Sequence, residues 1–269
     1  MHDDNSDGHK PSLADMVNSL HGEPGRLTGH LSPWWMQGRT AFGGITAALA
    51  LAATRQSLPD LPQLRSMQVT FLRPILDEVI FEVTLIRSGR TASFVQVDCM
   101  SDGALGARCT FTFGAARPSK IVHDYSPVPA TPDPATCEEL LRRSSRPTFF
   151  ANFDAVIIEG DQLVSGSDRP ELIVWSRLTD SVGVSPEVAL VCNADSMPPA
   201  AMPCFTERAP ISTITWSVDF ARIPETTDWV WTRTTSKQAA EGYSVQDMEL
   251  RDTDGSLLAS AQQMVALFT

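Results

Sequence analysis

No stretch of this 269-residue chain approaches the roughly 18 consecutive apolar residues that a membrane-spanning helix needs. Its opening residues, Met1 to Lys10, are charged and polar where a signal peptide would be apolar, so a cytoplasmic location without leader or anchor is expected. Positive charge is also in short supply: 21 Lys and Arg face 32 Asp and Glu, a net charge of −11. A nucleic-acid partner, which needs a basic face, is therefore disfavoured. The deficit is uneven, with 11 basic and 12 acidic residues over 1–125 but 10 and 20 over 126–269, so a polyanionic ligand sits more easily on the first half. The five cysteines, Cys99, Cys109, Cys137, Cys192 and Cys204, are odd in number and widely spaced, mostly in apolar runs. They form neither a disulfide framework nor a zinc site and read as reduced core residues. No Gly-x-Ser-x-Gly elbow, phosphate loop or dinucleotide fingerprint occurs, and all five histidines, His2, His9, His21, His30 and His123, lie in the first half. A Ser-His-Asp hydrolase is disfavoured, and no metal or cofactor is expected.

What is present is organised around Thr40 to Ala53, where the pair Gly43-Gly44 opens a run of small and apolar residues. An amphipathic helix would show a polar face every 3.6 residues, yet after Thr46 the first polar side chain is Thr54, so this helix is predicted to be buried. It should run to about Ser57 and stop before Pro59. Ahead of it, Leu13, Met16, Val17 and Leu20 form a short amphipathic piece that caps the body, Arg26 to Met36 reads as a first strand, and Trp34-Trp35 place aromatic surface beside the helix entrance. After it come four strand candidates, around Gln68–Pro74, Val79–Arg87, Ala92–Met100 and Arg108–Gly114, with turn signals at Asp77-Glu78, Ser88-Gly89-Arg90 and Ser101-Asp102-Gly103.

From Pro118 to Pro134 five prolines interrupt regular structure and mark a stiff connector between domains. Beyond it a short helix is expected around Glu138 to Arg143, then strands at Phe149–Glu159 and Leu172–Thr179. A second buried helix should cover Pro186 to Asp195, with Ser185 as N-cap and Pro186 at the first helical position, ended by Pro198-Pro199. Four strands follow again, at Ile211–Ala221, Trp229–Thr235, Tyr243–Arg251 and Leu257–Phe268, with a sharp turn at Asp252 to Gly255. The second half repeats the element order of the first.

Phe42-Gly43-Gly44, Phe71-Leu72-Arg73-Pro74 and Arg87 to Ser93 resemble the first half of the TesB-like acyl-CoA thioesterases. Trp229, Ala239-Ala240-Glu241-Gly242-Tyr243, Asp254 to Ser260 and Gln263 resemble that family's second repeat, and Asn193 to Pro199 resembles a word common in a divergent branch. Coverage runs from about 26 to 268. The resemblance implies an α+β double hotdog fold, two sheets merged back to back around two helices. In domains it implies a tail at 1–25, a first hotdog at 26–117, a linker at 118–136 and a second hotdog at 137–269. The implied function is hydrolysis of medium- or long-chain fatty acyl-CoA by an activated water, the alternative being a protein that binds an acyl ligand without hydrolysing it.

The resemblance also implies a site of an Asp, a hydroxyl residue and a Gln. Gln263 falls at the Gln position and Thr235 at the hydroxyl position, within one or two residues of register. The Asp position is occupied by Thr215, which can orient a water but cannot act as a base near neutral pH. Two carboxylates are available to compensate. Asp195 closes an apolar helix, where an ionisable group is costly unless bonded; alternatively it bonds only the turn amides at Ser196 and Met197. Asp219 shares a strand face with Thr215 and Ser217. Asp195 is the preferred candidate. The free N–H groups at Gly43 and Gly44 are candidates to hold the thioester oxygen or a phosphate, or the glycines serve packing alone. Arg39, Arg73, Arg87 and Arg90 are candidates for the CoA phosphates. Hydratases share the hotdog fold but need a well-placed His or Asp pair, which the sequence does not display. Edge strands and apolar tryptophans favour a homodimer of double hotdogs.

Overall fold

The computed structural model describes residues 10–125, 129, 132–141 and 146–269. Its centre is helix α2 (Gly43–Ser57), in which every residue from Gly44 to Thr54 is buried. Alanine and leucine favour this helix, and its two buried threonines satisfy their hydroxyls on their own chain: Thr46 Oγ1 donates to Phe42 O (3.2 Å) and Thr54 Oγ1 to Ala50 O (2.9 Å). It ends at Leu58, whose φ of −137° and ψ of 73° leave the helical region because Pro59 follows. Before it, helix α1 (Leu13–Asn18) is opened by a capping box between Ser12 and Asp15 and buries Leu13 and Met16 on the body. Short strands β1 (His21–Glu23) and β2 (Arg26–His30) follow, then β3 (Met36–Gln37) and β4 (Thr40–Ala41). The first strand is thus shorter than the sequence implied, because Pro33 starts a 3₁₀ turn at Pro33–Trp35. The turn buries Trp35, whose Nε1 donates to Pro11 O (3.1 Å), and leaves Trp34 exposed.

Strands β5 (Leu64–Phe71), β6 (Glu78–Ser88), β7 (Ala92–Ser101) and β8 (Ala104–Gly114) wrap α2, alternating buried and partly buried residues along β7. The β7–β8 hairpin turns at Asp102 and Gly103, both with positive φ, as a tight two-residue turn demands. The described residues from 115 to 125 contain no helix or strand. The helix expected at Glu138–Arg143 is not formed where it can be seen. Strand β9 (Glu138–Glu139) instead pairs with the free edge of β10 (Phe153–Gly160), which would otherwise leave a row of unpaired backbone groups, while Arg142 and Arg143 lie outside the described residues. Then come β11 (Glu171–Leu178) and helix α3 (Pro186–Ala194), with Ser185 Oγ accepting from Val188 N–H and Pro186 at its first position. Strands β12 (Ile211–Phe220), β13 (Val230–Ala240), β14 (Tyr243–Arg251) and β15 (Leu257–Leu267) complete the chain.

Thirteen of the strands form one sheet in the order β1-β2-β6-β7-β8-β5-β12-β15-β14-β13-β11-β10-β9, and β3 pairs with β4 separately. The halves therefore join edge to edge, not back to back: β5 and β12 pair antiparallel from Thr70↔Thr215 to Ser66↔Asp219. The sheet curves around α2 and α3, which pack on each other, and residues such as Ile45, Leu49, Leu190 and Val191 contribute about 1.5–3 kcal/mol each by leaving water. The five cysteines carry no disulfide, and Cys99, Cys109 and Cys192 are buried, as expected of core thiols.

The two helices are antiparallel. At one end the start of α2 meets the end of α3. At the other, Arg55 grips Glu187 through two bonds of 2.8 Å, while Glu187 also accepts from Leu64 N–H (2.8 Å) and Arg55 donates to Leu61 O and Pro62 O. Because these groups are largely out of water, Glu187→Gln is expected to lower unfolding free energy by about 2 kcal/mol in urea denaturation. A change under about 0.5 kcal/mol would mean that the ion pair is dispensable to the helix pair.

Candidate active site

At the open end of the helix pair, Phe42 precedes α2 without supplying a side-chain cap. The missing cap comes from the other helix. The Asp195 carboxylate accepts a hydrogen bond from the backbone N–H of Gly44, so the last turn of α3 caps the first turn of α2. Only glycine permits this approach: a Cβ on Gly43 would lie 2.5 Å from Asp195 Oδ2, and one on Gly44 would lie 2.5 Å from Cys192 O. Asp195 does not commit its carboxylate to its own turn. That turn is held by Ser196 N–H on Asn193 O (2.9 Å), Ser196 Oγ on Asn193 Oδ1 (3.1 Å) and Asn193 Nδ2 on Ser176 O (3.3 Å).

The second partner of Asp195 is Gln263, whose Nε2 donates to Oδ1 at 2.6 Å across 68 residues of sequence. Gln263 Oε1 in turn accepts from Gln246 Nε2 (2.6 Å), and Gln246 Oε1 accepts from the backbone N–H of Ala200 (3.0 Å). Burial raises the Asp195 pKa to about 7, with the bonds from Gln263 and Gly44 pulling it part of the way back. A carboxylate balanced there can accept a proton near neutral pH and release it again. Its partly exposed side chain opens on a cleft of about 230 Å³. Gly43, Thr40, Phe71, Arg73 and Ile75 line that cleft with it.

The remaining sequence candidates divide. Arg73 lines the cleft, and Arg39 is exposed in the β3–β4 turn between Gln37 and Thr40, which also line it. Arg90 does not reach it: β6 starts three residues after Ile75 and runs 11 residues away, roughly 30 Å, before the turn that carries Arg90. Arg87 shares that far end. Thr215 and Asp219 are exposed on the outer face of β12, on the opposite side from Trp216 and Val218. Thr235 likewise points outward and donates to Glu171 Oε2 (2.9 Å) beside Arg233, in a separate polar concavity of about 680 Å³. Period-2 alternation explains the miss, since Thr234, Thr235 and Ser236 are consecutive and only the first and third face the helices, both buried. Ser236 is paired in register with Gln246 and bonds Ser244 Oγ (2.9 Å). Gln246, overlooked in the sequence, had one available signal: it takes an inward position on β14 between Ser244 and Met248.

Among the described residues no cluster of His, Cys, Asp and Glu is arranged to hold a metal, and no helix is long and apolar enough to cross a membrane. Comparison with known proteins identifies both halves. Residues 31–114 match the family model for the acyl-CoA thioesterase N-terminal domain and residues 124–267 that for the C-terminal domain. Human acyl-coenzyme A thioesterase 8 is 31% identical over 111 residues, which are 40% of this chain and 33% of the human protein, so the match spans about a third of that relative. A hot dog fold protein of unknown function from Alicyclobacillus acidocaldarius superposes with a TM-score of 0.84 at 24% identity, covering 97% of this chain and 99% of that one. The acyl-CoA thioesterase II TesB2 of Mycobacterium marinum gives 0.77 at 20% identity, covering 95% and 98%. The fold is a double hotdog, and the protein belongs to the TesB-like acyl-CoA thioesterase family.

Proposed function

We propose that this protein hydrolyses fatty acyl-CoA to free acid and CoA, with Asp195 as the base that activates water. The bond between Asp195 and Gln263 carries this reading. The family's strand carboxylate is replaced by Thr215, which faces away from the cleft, and Asp195 brings a carboxylate to the same Gln from the end of α3 instead. Asp195 takes a proton from water as the oxygen attacks the thioester carbon. Gln263, with a second N–H on its amide, orients that water, and the N–H groups at the start of α2 face the developing oxyanion from Gly43. Gly44 is excluded from that task because its N–H is already given to Asp195. The CoA thiolate then leaves without needing a proton, since a thiol is a far better leaving group than an alcohol. Ser236, inward and in register with Gln246, replaces Thr235 as the β13 hydroxyl on the same face as this row. Arg73 supplies the positive charge at the cleft that suits a CoA phosphate, and Ala41, Phe71, Leu72 and Ile75 supply apolar wall for an acyl chain of medium or greater length.

Capping α2 needs only the bond from Gly44, and the further 2.6 Å bond that brings the carboxylate to Gln263 speaks for hydrolysis over acyl-CoA binding without turnover. The test is release of free thiol from acyl-CoAs of increasing chain length, with wild type beside Gln263→Leu. Turnover is expected to rise roughly fourfold per added CH₂ until the cleft is filled, and to fall at least about 100-fold in the variant. Absence of turnover in wild type, with acyl-CoA still raising the melting temperature, would overturn hydrolysis and leave binding.

A further inference from the structure

We propose that Gln246 is a positioning residue that fixes which end of the Gln263 amide meets Asp195. The inference rests on the hydrolase reading for its purpose but on geometry for its content. A side-chain amide is nearly symmetric in shape and can present either its oxygen or its NH₂ to a neighbour. Between two such amides and a carboxyl group that can be protonated or ionised near neutral pH, nothing in the side chains alone decides the direction of donation. The decision comes from the backbone. Ala200 N–H can only donate, so the atom of Gln246 that meets it at 3.0 Å is its oxygen. Its NH₂ is then turned to Gln263, where it finds the oxygen at 2.6 Å, and the NH₂ of Gln263 is left to face Asp195 at 2.6 Å. Both amides are buried, at 1% and 4% exposure, so no solvent competes for these bonds. Gln246 and Gln263 are also directly paired in register on β14 and β15, which holds their side chains on one row of the inner face.

The consequence concerns the state of Asp195. An NH₂ directed at it favours the carboxylate, the form a base requires, whereas an oxygen directed at it would favour the protonated acid. The charged and titratable groups that face Asp195 besides this chain are Arg73 from the cleft wall and Cys192 earlier in α3, whose thiol is itself pushed up by burial and by the Asp195 charge. From α2 it meets Gly43 and Gly44, and from β12 Ser212 and Thr213 line the same cleft, none of them titratable. The Gln246 chain is thus the element on the sheet side that selects the ionised form.

The experiment follows the Asp195 carboxyl carbon by ¹³C NMR against pH, beside the pH profile of kcat/KM, in wild type and Gln246→Met. The methionine keeps length and volume but releases the Gln263 amide to turn. The midpoint is expected to rise by about half to one pH unit, so that activity below the midpoint falls about three- to tenfold, with a smaller change on the alkaline plateau. In a Gln263→Met background the same Gln246→Met change should leave the carboxyl midpoint where it is, because the intermediary is gone. If Gln246→Met does not fold, Gln246→Leu removes the same amide without adding charge and should raise the midpoint by a similar amount. A folded Gln246 variant with the wild-type midpoint, or a shift that persists without Gln263, overturns the proposal. The carboxyl titration does not require turnover, so a wild type inactive on every acyl-CoA would refute the hydrolase reading while this one is still decided.

Discussion

Asp195→Asn is expected to reduce kcat/KM for acyl-CoA by about 1,000-fold, the range a positioned base contributes, and at the same time to remove a pH-dependent weakness of the fold. Burial raises the Asp195 pKa from its ordinary 3.8 to about 7, so between those two values the folded protein holds a proton that the unfolded chain has released. Stability is fully present below the unfolded value and is lost as pH rises through the folded one. The loss is on the order of 4 kcal/mol between about pH 4 and pH 8, because each pH unit separating the folded and unfolded pKa values corresponds to about 1.4 kcal/mol. Urea denaturation at several pH values should show that decline in wild type and a flatter curve in Asp195→Asn, whose amide has nothing to ionise. Activity moves the opposite way, since kcat/KM should climb through about pH 7 as the carboxylate forms. Parallel stability curves for the two proteins would mean that Asp195 keeps its hydration and is not shifted by burial.

The second large effect separates two adjacent glycines. In Gly44→Ala the new Cβ meets Cys192 O at 2.5 Å and also runs into the Phe42 ring. Neither can retreat, because Cys192 O is backbone of α3 and Phe42 is buried and stacked on Phe149 with ring centres 4.2 Å apart. The helices must part, and a loss of about 3 kcal/mol is expected, the upper part of the range for overpacked cores. For a protein of this size that lowers Tm by about 5 °C. In Gly43→Ala the obstacle is instead Asp195 Oδ2 at 2.5 Å, with the Phe71 ring at 3.0 Å, and a carboxylate at a cleft can rotate. Stability should change little while activity falls about 100-fold. Calorimetry and thiol release on both variants check the pair, and equal losses of stability would show that the approach at Gly43 is as rigid as that at Gly44.

The sequence carried the scaffold because its signals are local. The apolar run after Gly43-Gly44 marks α2, and Ser185-Pro186 marks the start of α3 by capping chemistry that operates within a single helical turn. Asp195 could be singled out for a similar reason, since a carboxylate closing an apolar helix has to be bonded to something. What it bonds to is a matter of distance in space. That Gly44 donates its N–H, or that Gln263 comes within 2.6 Å, depends on β12 pairing with both β5 and β15. The failures share this origin. Thr235 and Ser236 differ only in which face of β13 they occupy, a choice set by its neighbours and by a register shift just beyond Ser236. Arg90 stands in a turn whose remoteness is the length of β6. Glu138 and Glu139 follow no strand pattern and are strand only because β10 offers them an edge.

The grip of Arg55 on Glu187 bears on how many molecules one chain can process. Two repeated halves, each with a helix, make two helix-end junctions, and a duplicated unit left unaltered would offer a reaction centre at both. Here one junction ends in a carboxylate open to a cleft, and the other ends in a carboxylate already neutralised by a guanidinium and a backbone N–H. On the hydrolase reading proposed above, this leaves one working end and one anchoring end, and a stoichiometry of one thioester per chain is the expected outcome.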